Sequence, residues 1–166
     1  MSYYIIIRGP LGIGKSTVSK KLAVVLKGEC FSIDDVLEKH NLDVIDEGLG
    51  CISLKNFNKA TDIILPKIKK RLFNGTLIII DGNFYYKCQL EYLENNLQDY
   101  KSYIFTLKAG LDTCVKRDGC REFSYGVDAA RAVHSLVSKF DYGKVINTED
   151  KTADEVVDVI IKQIEK

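Results

Sequence analysis

The segment Gly9-Pro10-Leu11-Gly12-Ile13-Gly14-Lys15-Ser16 has the spacing G-x-x-x-x-G-K-S and follows directly on the apolar run Tyr3-Tyr4-Ile5-Ile6-Ile7. Gly9, Gly12 and Gly14 permit backbone turns closed to residues with a β-carbon, so that successive N–H groups converge on one concavity suited to phosphate oxygens. Val18, Leu22, Val25 and Leu26 recur at helical spacing within Thr17 to Lys27, so a helix with a positive N-terminal dipole starts where the turn ends. Lys15 reaches the β- and γ-phosphates as a point charge, and Ser16 offers its hydroxyl to Mg²⁺. A strand, a glycine turn and a helix in this order imply a nucleoside triphosphate site, with Gly9, Gly12, Ile13, Gly14, Lys15, Ser16 and Thr17 binding the phosphates.

Composition narrows what such a site can serve. A length of 166 residues suits one domain, here taken as residues 1–166, and 46% hydrophobic with 28% charged residues lies in the globular range. Lys+Arg number 24 against 23 Asp+Glu, so no overall field draws the chain to nucleic acid or to an anionic membrane; any polyanion site must be local. No apolar run approaches the roughly 18 residues of a membrane span, and no charged region leads into a signal-peptide core, so a cytoplasmic protein is expected. The five cysteines include no C-x-x-C pair, which favours free thiols over a disulfide framework or a zinc site.

Short apolar runs alternate with longer amphipathic ones, the pattern of βα units closing a parallel sheet. Strands are expected at Tyr3 to Arg8, Cys30 to Ile33, Thr76 to Ile80, Tyr103 to Leu107 and Lys144 to Asn147. Helices are expected at Thr17 to Lys27, Asp35 to His40, Leu54 to Phe73, Lys87 to Leu97, Leu111 to Arg117, Val127 to Phe140 and Ala153 to Ile164. The polar stretch from Asp118 to Gly126, which carries two glycines, is expected to form a lid over about 118–127.

A triphosphate site alone does not choose among kinase, GTPase and motor ATPase. A guanine-specific N-K-x-D is absent, since Asn58-Lys59-Ala60-Thr61 fails at its fourth position, and Asp81-Gly82-Asn83 stands where motor ATPases carry Asp-Glu. An acceptor other than water fits better. Asp34 and Asp35 follow the expected second strand on the carboxyl edge of the sheet, where open α/β folds bind ligands. A carboxylate there accepts the proton of an attacking hydroxyl; Asp34 is the first candidate for that base, Asp35 the second, and either serves equally well as a helix N-cap. Asp81 ends the strand expected beside the first and is placed near Ser16 to hold Mg²⁺, with a simple turn role as the alternative. Asn83 joins Asp34 and Asp35 on the acceptor side, with Tyr85 near it. Arg117 and Arg121 bracket Asp118-Gly119-Cys120 at the start of the lid, where planar guanidinium donors suit the charge that spreads over a transferred phosphoryl group. Arg131 is a weaker candidate. The basic run Pro66-Lys67-Ile68-Lys69-Lys70-Arg71 reads as a solvated helix face, because Ile64, Ile68 and Leu72 form its apolar stripe.

With these residues on the page, the chain resembles the small P-loop kinases, a group that includes shikimate kinase, chloramphenicol phosphotransferase and the kinase domain of polynucleotide kinases. The resemblance runs along essentially the whole chain. Asp34-Asp35 is similar to the Asp-Asp pair of polynucleotide kinases, whose first member is the base. Arg117-Asp118-Gly119-Cys120-Arg121 is similar to their lid motif Arg-Asn-x-x-Arg, with Asp118 for the Asn. The Arg that this family carries three positions after the base is replaced by Leu37, and adenylate-kinase-like enzymes use several arginines where the Asp34 to Gly75 region has only Arg71. The resemblance implies a P-loop NTPase fold of the nucleoside-monophosphate-kinase type, three layers α/β/α around a five-stranded parallel sheet, with a lid. It implies an ATP- and Mg²⁺-dependent phosphotransferase acting on a hydroxyl of a small molecule. A polynucleotide 5′-hydroxyl or nucleoside kinase and an ATPase switch without an acceptor stand as alternatives.

Overall fold

The computed structural model describes residues 2–164. In chain order the elements are β1 (Tyr3–Arg8), α1 (Lys15–Val25), β2 (Glu29–Ser32), α2 (Ile33–Lys39), β3 (Ile45–Asp46), β4 (Cys51–Ile52) and α3 (Leu54–Phe73). They continue with β5 (Ile78–Gly82), α4 (Lys87–Asn96), β6 (Lys101–Lys108), α5 (Leu111–Gly119), α6 (Val127–Val137), β7 (Lys144–Asn147) and α7 (Ala153–Ile164). Five strands form one parallel sheet in the order β2-β5-β1-β6-β7. β1 is central, pairing with β5 on one side and β6 on the other, so the loop that leaves its carboxyl end opens where the sheet order reverses.

Both faces of β1 are covered, which explains its unbroken apolar run. Tyr4 and Ile6 face one core with Ile78, Ile80 and the apolar sides of α2, α3, α4 and α6. Ile5 and Ile7 face a second core with Ile79, Phe105, Leu107 and the buried sides of α1 and α7. Burying each such aliphatic side chain contributes about 1.5–3 kcal/mol before the entropy of ordering it is set against that gain. Among the described residues no helix is long and apolar enough to cross a membrane.

Three helices end on the same device, which ends α1 and α2 earlier than expected and leaves α3 ending at Phe73 as expected. Lys27, Asn41 and Gly75 all have positive φ, and the residue after each donates its N–H five residues back: Gly28 to Ala23, Leu42 to Leu37 and Thr76 to Arg71. The α1 helix therefore stops before Lys27, and because Thr76 belongs to the end of α3, the next strand begins at Ile78. The α6 helix is shorter than its periodicity suggests for a different reason. The buried guanidinium of Arg8 takes the carbonyls of Val137 and Phe140, each at 2.9 Å, in place of further helical N–H donors.

The hairpin β3–β4 has no counterpart among the expected elements. Its strands are two residues each, too short to show a period. Asp46 closes it by accepting the N–H groups of Gly48 and Leu49 at 3.0 and 3.1 Å.

Candidate functional site

The glycine loop joins β1 to α1 in a form that only glycine tolerates at two points. Gly12 has φ of 76°, and a β-carbon there would collide with the carbonyl oxygen of Cys114 in α5. Gly14 is the N-cap of α1 at φ 95°; no side chain caps the helix and no acidic residue lies in its first turn, which leaves the N–H groups facing the loop. Ile13 anchors the loop by burying its side chain in the core below. Gly9 packs against it, and a β-carbon there would crowd Ile13 Cγ2 at 2.9 Å.

Lys15 is almost fully buried and makes a specific set of contacts. Its Nζ donates to the Pro10 carbonyl at 3.1 Å and to Asn83 Oδ1 at 2.9 Å, and lies 4.0 Å from Asp34 Oδ2. The backbone N–H of Asn83 donates in turn to Asp34 Oδ1 at 3.4 Å. Burial lowers the ammonium pKa, while the carboxylates of Asp34 and Asp81 oppose that shift. Burial likewise pushes the Asp34 carboxyl up to about 6, with Lys15 and the Asn83 N–H pulling the other way. Lys15, Asn83 and Asp34 thus form one connected group at the carboxyl ends of β1 and β5 and the start of α2.

The capping alternative for the two aspartates is overturned. Ser32 is the N-cap of α2, its Oγ accepting the Asp35 N–H at 3.3 Å, and both aspartates fall in the first turn with their carboxylates free of that task. The turn alternative for Asp81 fails too. Asp81 lies within β5 opposite Ile7 of β1, almost fully buried. Cys30 Sγ donates to its Oδ2 at 3.5 Å, whereas its Oδ1 has no hydrogen-bond partner among the described residues. Burial raises its pKa, against the pull of Lys15. Its charge acts on Lys15, and its buried Oδ1 meets no donor within hydrogen-bond geometry although the Ser32 hydroxyl also acts on the carboxylate, so Asp81 and the Ser16 hydroxyl are the residues that would hold Mg²⁺.

Two cavities meet at this group. One, of about 280 Å³, is lined by Gly12 to Val18, Arg117, Arg121 and the segment Thr148, Lys151, Ala153 and Val156. The other, of about 240 Å³, is lined by Asp34, Asp35, Asn83, Tyr85, Leu37 and residues of the hairpin and lid. Lys15, Ser16 and Arg121 line both. Asp34 lines only the second, 4.0 Å from Lys15 Nζ.

The two lid arginines part company. Arg117 lies on α5 and donates to Thr148 Oγ1 at 3.2 Å and to the carbonyls of Thr148 and Glu149 at 2.8 and 3.1 Å, so it ties α5 to the segment after β7. Arg121 stands between the cavities, 3.5 Å from Asp118 Oδ1 and with its guanidinium 5.9 Å from the Tyr125 ring centre. Asp118 is buried and also accepts from Ser124 Oγ at 2.7 Å and the Tyr125 N–H at 3.1 Å, which folds residues 118–125 into a closed turn. Arg131 is exposed and lines neither cavity. Lys67, Lys69 and Lys70 are exposed on α3 away from both.

Sequence reasoning missed Tyr125, Glu38, Asp43, Ile45 and Ile52 on the second cavity and Thr148 and Lys151 on the first. Thr148 directly follows β7 on the carboxyl edge of the sheet, so the rule that selected Asp34 also selects it. The hairpin residues carry no comparable signal.

Solved structures share this arrangement of elements. A gluconokinase from Sinorhizobium meliloti superposes with a TM-score of 0.75 at 12% identity, over 98% of this chain and 91% of the other. An APS kinase from Mycobacterium tuberculosis, solved with AMPPNP and APS, gives 0.75 at 16% identity over 99% and 98%. Shikimate kinase from Acinetobacter baumannii, solved with shikimate, gives 0.65 at 19% identity over 99% and 94%. The fold of this chain is therefore the small P-loop kinase fold, with its five-stranded parallel sheet between helices. A family model described as an AAA domain matches residues 5–139, a span that holds the glycine loop, Asp34, Asp81 and both lid arginines, and the chain belongs to that AAA domain family, AAA_33.

Proposed function

We propose that this chain is an ATP- and Mg²⁺-dependent phosphotransferase that moves the γ-phosphoryl group to a hydroxyl of a small molecule. The observation that carries the reading is the pair of cavities that share Lys15, Ser16 and Arg121, with Asp34 lining the second alone. A donor phosphate chain in the first cavity and a hydroxyl in the second would face each other across these three residues.

Each residue then has a defined task. The N–H groups of the loop and of the first turn of α1 hold phosphate oxygens, and Lys15 neutralises charge that builds on the transferred group. Asp34 accepts the proton of the acceptor hydroxyl as its oxygen bonds to the γ-phosphorus and the bond to the β,γ-bridging oxygen breaks. Arg121, placed at the boundary, suits the equatorial oxygens. Arg117 and the Thr148 segment form the far wall of the donor cavity. Asn83 orients Lys15 and Asp34 relative to each other, and Asp35 shapes the acceptor side. Ser16 and Asp81 would hold Mg²⁺, which would supply charge neutralisation for the phosphate chain. We take residues 1–166 as one kinase domain with its lid at about 118–127, acting in the cytoplasm, where its five free cysteines suit a reducing compartment.

A small acceptor is favoured over a polynucleotide. The wall of the acceptor cavity offers Leu37 where a phosphate-binding arginine would be needed. The neighbouring structures named as gluconokinase, shikimate kinase and APS kinase support the same class. An acceptor-free ATPase is disfavoured because Gly82, directly after Asp81, stands where motor ATPases carry the water-polarising Glu.

The test is transfer from γ-labelled ATP to a panel of hydroxyl compounds. Lys15→Ala should lower transfer about 100- to 1,000-fold. Asp34→Asn should abolish transfer and retain ATP binding; equal loss of ATP binding contradicts the base role. Hydrolysis that no panel member alters would refute the transferase reading.

A further inference from the structure

Asp118 is a buried carboxylate at the start of the lid, and phosphoryl transfer as described above gives it no task. It touches three parts of the site at once. Its backbone nitrogen lies against the phosphate loop, 3.0 Å from where a β-carbon on Gly12 would stand. Its Oδ2 accepts Ser124 Oγ at 2.7 Å and the N–H of Tyr125, a residue on the acceptor cavity, at 3.1 Å. Its Oδ1 meets no donor in hydrogen-bond geometry among the described residues and lies 3.5 Å from Arg121 Nη1. A buried carboxylate is costly unless charges and donors balance it, and here Arg121 supplies the charge while Ser124 and Tyr125 supply the donors.

Arg121 is held by little else. Among the described residues its side chain makes this ion pair, lies 5.9 Å from the Tyr125 ring centre and donates no hydrogen bond. Arg117, by contrast, spends both terminal nitrogens on Thr148 and Glu149. A guanidinium carries five N–H donors on a rigid plane, so an ion pair at Nη1 leaves further donors for phosphoryl oxygens and sets the direction in which they point. Arg121 lines both cavities, and with 44% of its side chain exposed, packing alone does not fix that direction. The lid motif of polynucleotide kinases that residues 117–121 resemble has Asn where Asp118 stands, so the ion pair belongs to this chain rather than to the motif.

We infer that Asp118 is a positioning residue for phosphoryl transfer, its carboxylate aiming Arg121 at the transferred group and holding Tyr125 on the acceptor wall while its backbone keeps both in register with the phosphate loop. The assignment rests on the phosphotransferase reading for what Arg121 faces. It goes beyond that reading in naming what aims the arginine. Asp118→Asn separates the aim from the turn: the one amide oxygen keeps Ser124 and Tyr125, and the amino group then meets Arg121 Nη1 donor to donor.

Calorimetry on the full-length protein with Mg²⁺ reads this without an acceptor, using ADP alone and ADP with aluminium fluoride, a planar stand-in for the transferred phosphoryl group. The wild type should bind ADP more tightly when aluminium fluoride is present. Arg121→Met should weaken the aluminium fluoride complex about 100-fold, the loss expected for one preorganised donor on transition-state charge. Asp118→Asn should weaken it about tenfold, a coupling of the size found between groups of one network, and by no more than about twofold in the Arg121→Met background. ADP alone should bind each variant within about twofold of wild type, because the interaction lost is one made only with the transferred group. An unchanged complex in Asp118→Asn, the same fall persisting in the Arg121→Met background, equal loss of ADP affinity by a folded variant, or a wild type indifferent to aluminium fluoride overturns the inference. Should Asp118→Asn fail to fold, Ser124→Ala loosens the Oδ2 side alone and should weaken the complex about threefold, again only while Arg121 is present; an unchanged complex there overturns the inference as well. Transfer that proceeds while this comparison fails removes the inference and leaves the kinase reading intact. No transfer to any hydroxyl compound would instead remove the kinase reading, and the aluminium fluoride comparison would still be read independently.

Discussion

Asp34→Asn should change activity and stability in opposite directions. The Asp34 carboxyl has its pKa raised from 3.8 to about 6, chiefly by burial, even though Lys15 lies 4.0 Å away and the Asn83 N–H points at it. Between these two pH values the folded chain binds a proton that the unfolded chain has released, so stability falls as pH rises through that window. Each pH unit of difference corresponds to 1.36 kcal/mol, and about two units give about 3 kcal/mol of destabilisation at neutral pH and above. Its side chain is 26% exposed to the cavity, and solvent there reduces the figure to about 2 kcal/mol. Asparagine has nearly the shape of the protonated acid and keeps an Oδ1 to accept from Asn83, so it escapes this cost. The variant should melt about 4–8 °C higher at pH 8, because 1 kcal/mol moves the midpoint of a chain this long by about 2–4 °C.

The assay is a pair of melting curves for wild type and variant taken across pH 3.5 to about 8, alongside phosphoryl transfer at the same values. The stability gap should open from near zero at the acid end and level off above about pH 7. Transfer by the wild type should fall about tenfold per pH unit below about 6, and the variant should show no such limb because it has no base to protonate. A variant that is less stable than wild type at pH 8, or a gap that does not change with pH, would refute the reasoning, since either result means the carboxylate is stabilised where burial is argued to oppose it. The trade is the one expected of a site that holds a carboxylate in an unfavourable place in order to use it.

Other perturbations read the remaining parts of the site. Arg117→Ala removes three hydrogen bonds to Thr148 and Glu149 and should weaken ATP binding about tenfold, about 1.4 kcal/mol; Arg117→Lys should not restore it, because a point charge cannot span the two carbonyls. Gly12→Ala places a β-carbon against the Cys114 carbonyl at φ 76° and should cost more than about 2 kcal/mol, read as a fall in the urea midpoint, with ATP binding lost at the same time. Asp46→Ala removes the acceptor for the Gly48 and Leu49 N–H groups; loosening the β3–β4 hairpin by about 1 kcal/mol should raise KM for the acceptor while leaving ATP affinity unchanged.

The donor half of the site was legible because its chemistry is local. Gly12, Gly14, Lys15 and Ser16 lie within five residues, and the strand before them and the helix after them announce themselves by period. The acceptor half draws on α2, the β3–β4 hairpin, Tyr85 before α4, the lid and α6, and no short window contains them all. Boundaries were displaced where a single residue overrides periodicity: Lys27 and Asn41, which adopt positive φ without being glycine, end their helices early, and Arg8 takes the carbonyls with which α6 would have continued.

The pair Asp34-Asp35 marks the limit most sharply. Aspartate after a strand serves equally well as a helix cap and as a base, and residue type alone does not separate the two uses. What separates them is the preceding residue. Once Ser32 Oγ takes the Asp35 N–H, neither carboxylate is needed at the helix end, and the first of them lies beside Lys15 and Asn83 while the second turns toward the cavity wall. A serine one position before the helix therefore leaves both carboxylates free of the helix end. Ser32→Ala should pull one of them back into capping: the Asp34 or Asp35 side chain would be recruited by the vacated N–H, transfer would fall, and the low-pH limb of the rate profile would move down toward the ordinary carboxylate range. A variant that lost stability by about 1 kcal/mol, as an uncapped helix should, yet kept both its rate and its pH profile would show that the carboxylate's position is set by Lys15 and Asn83 alone.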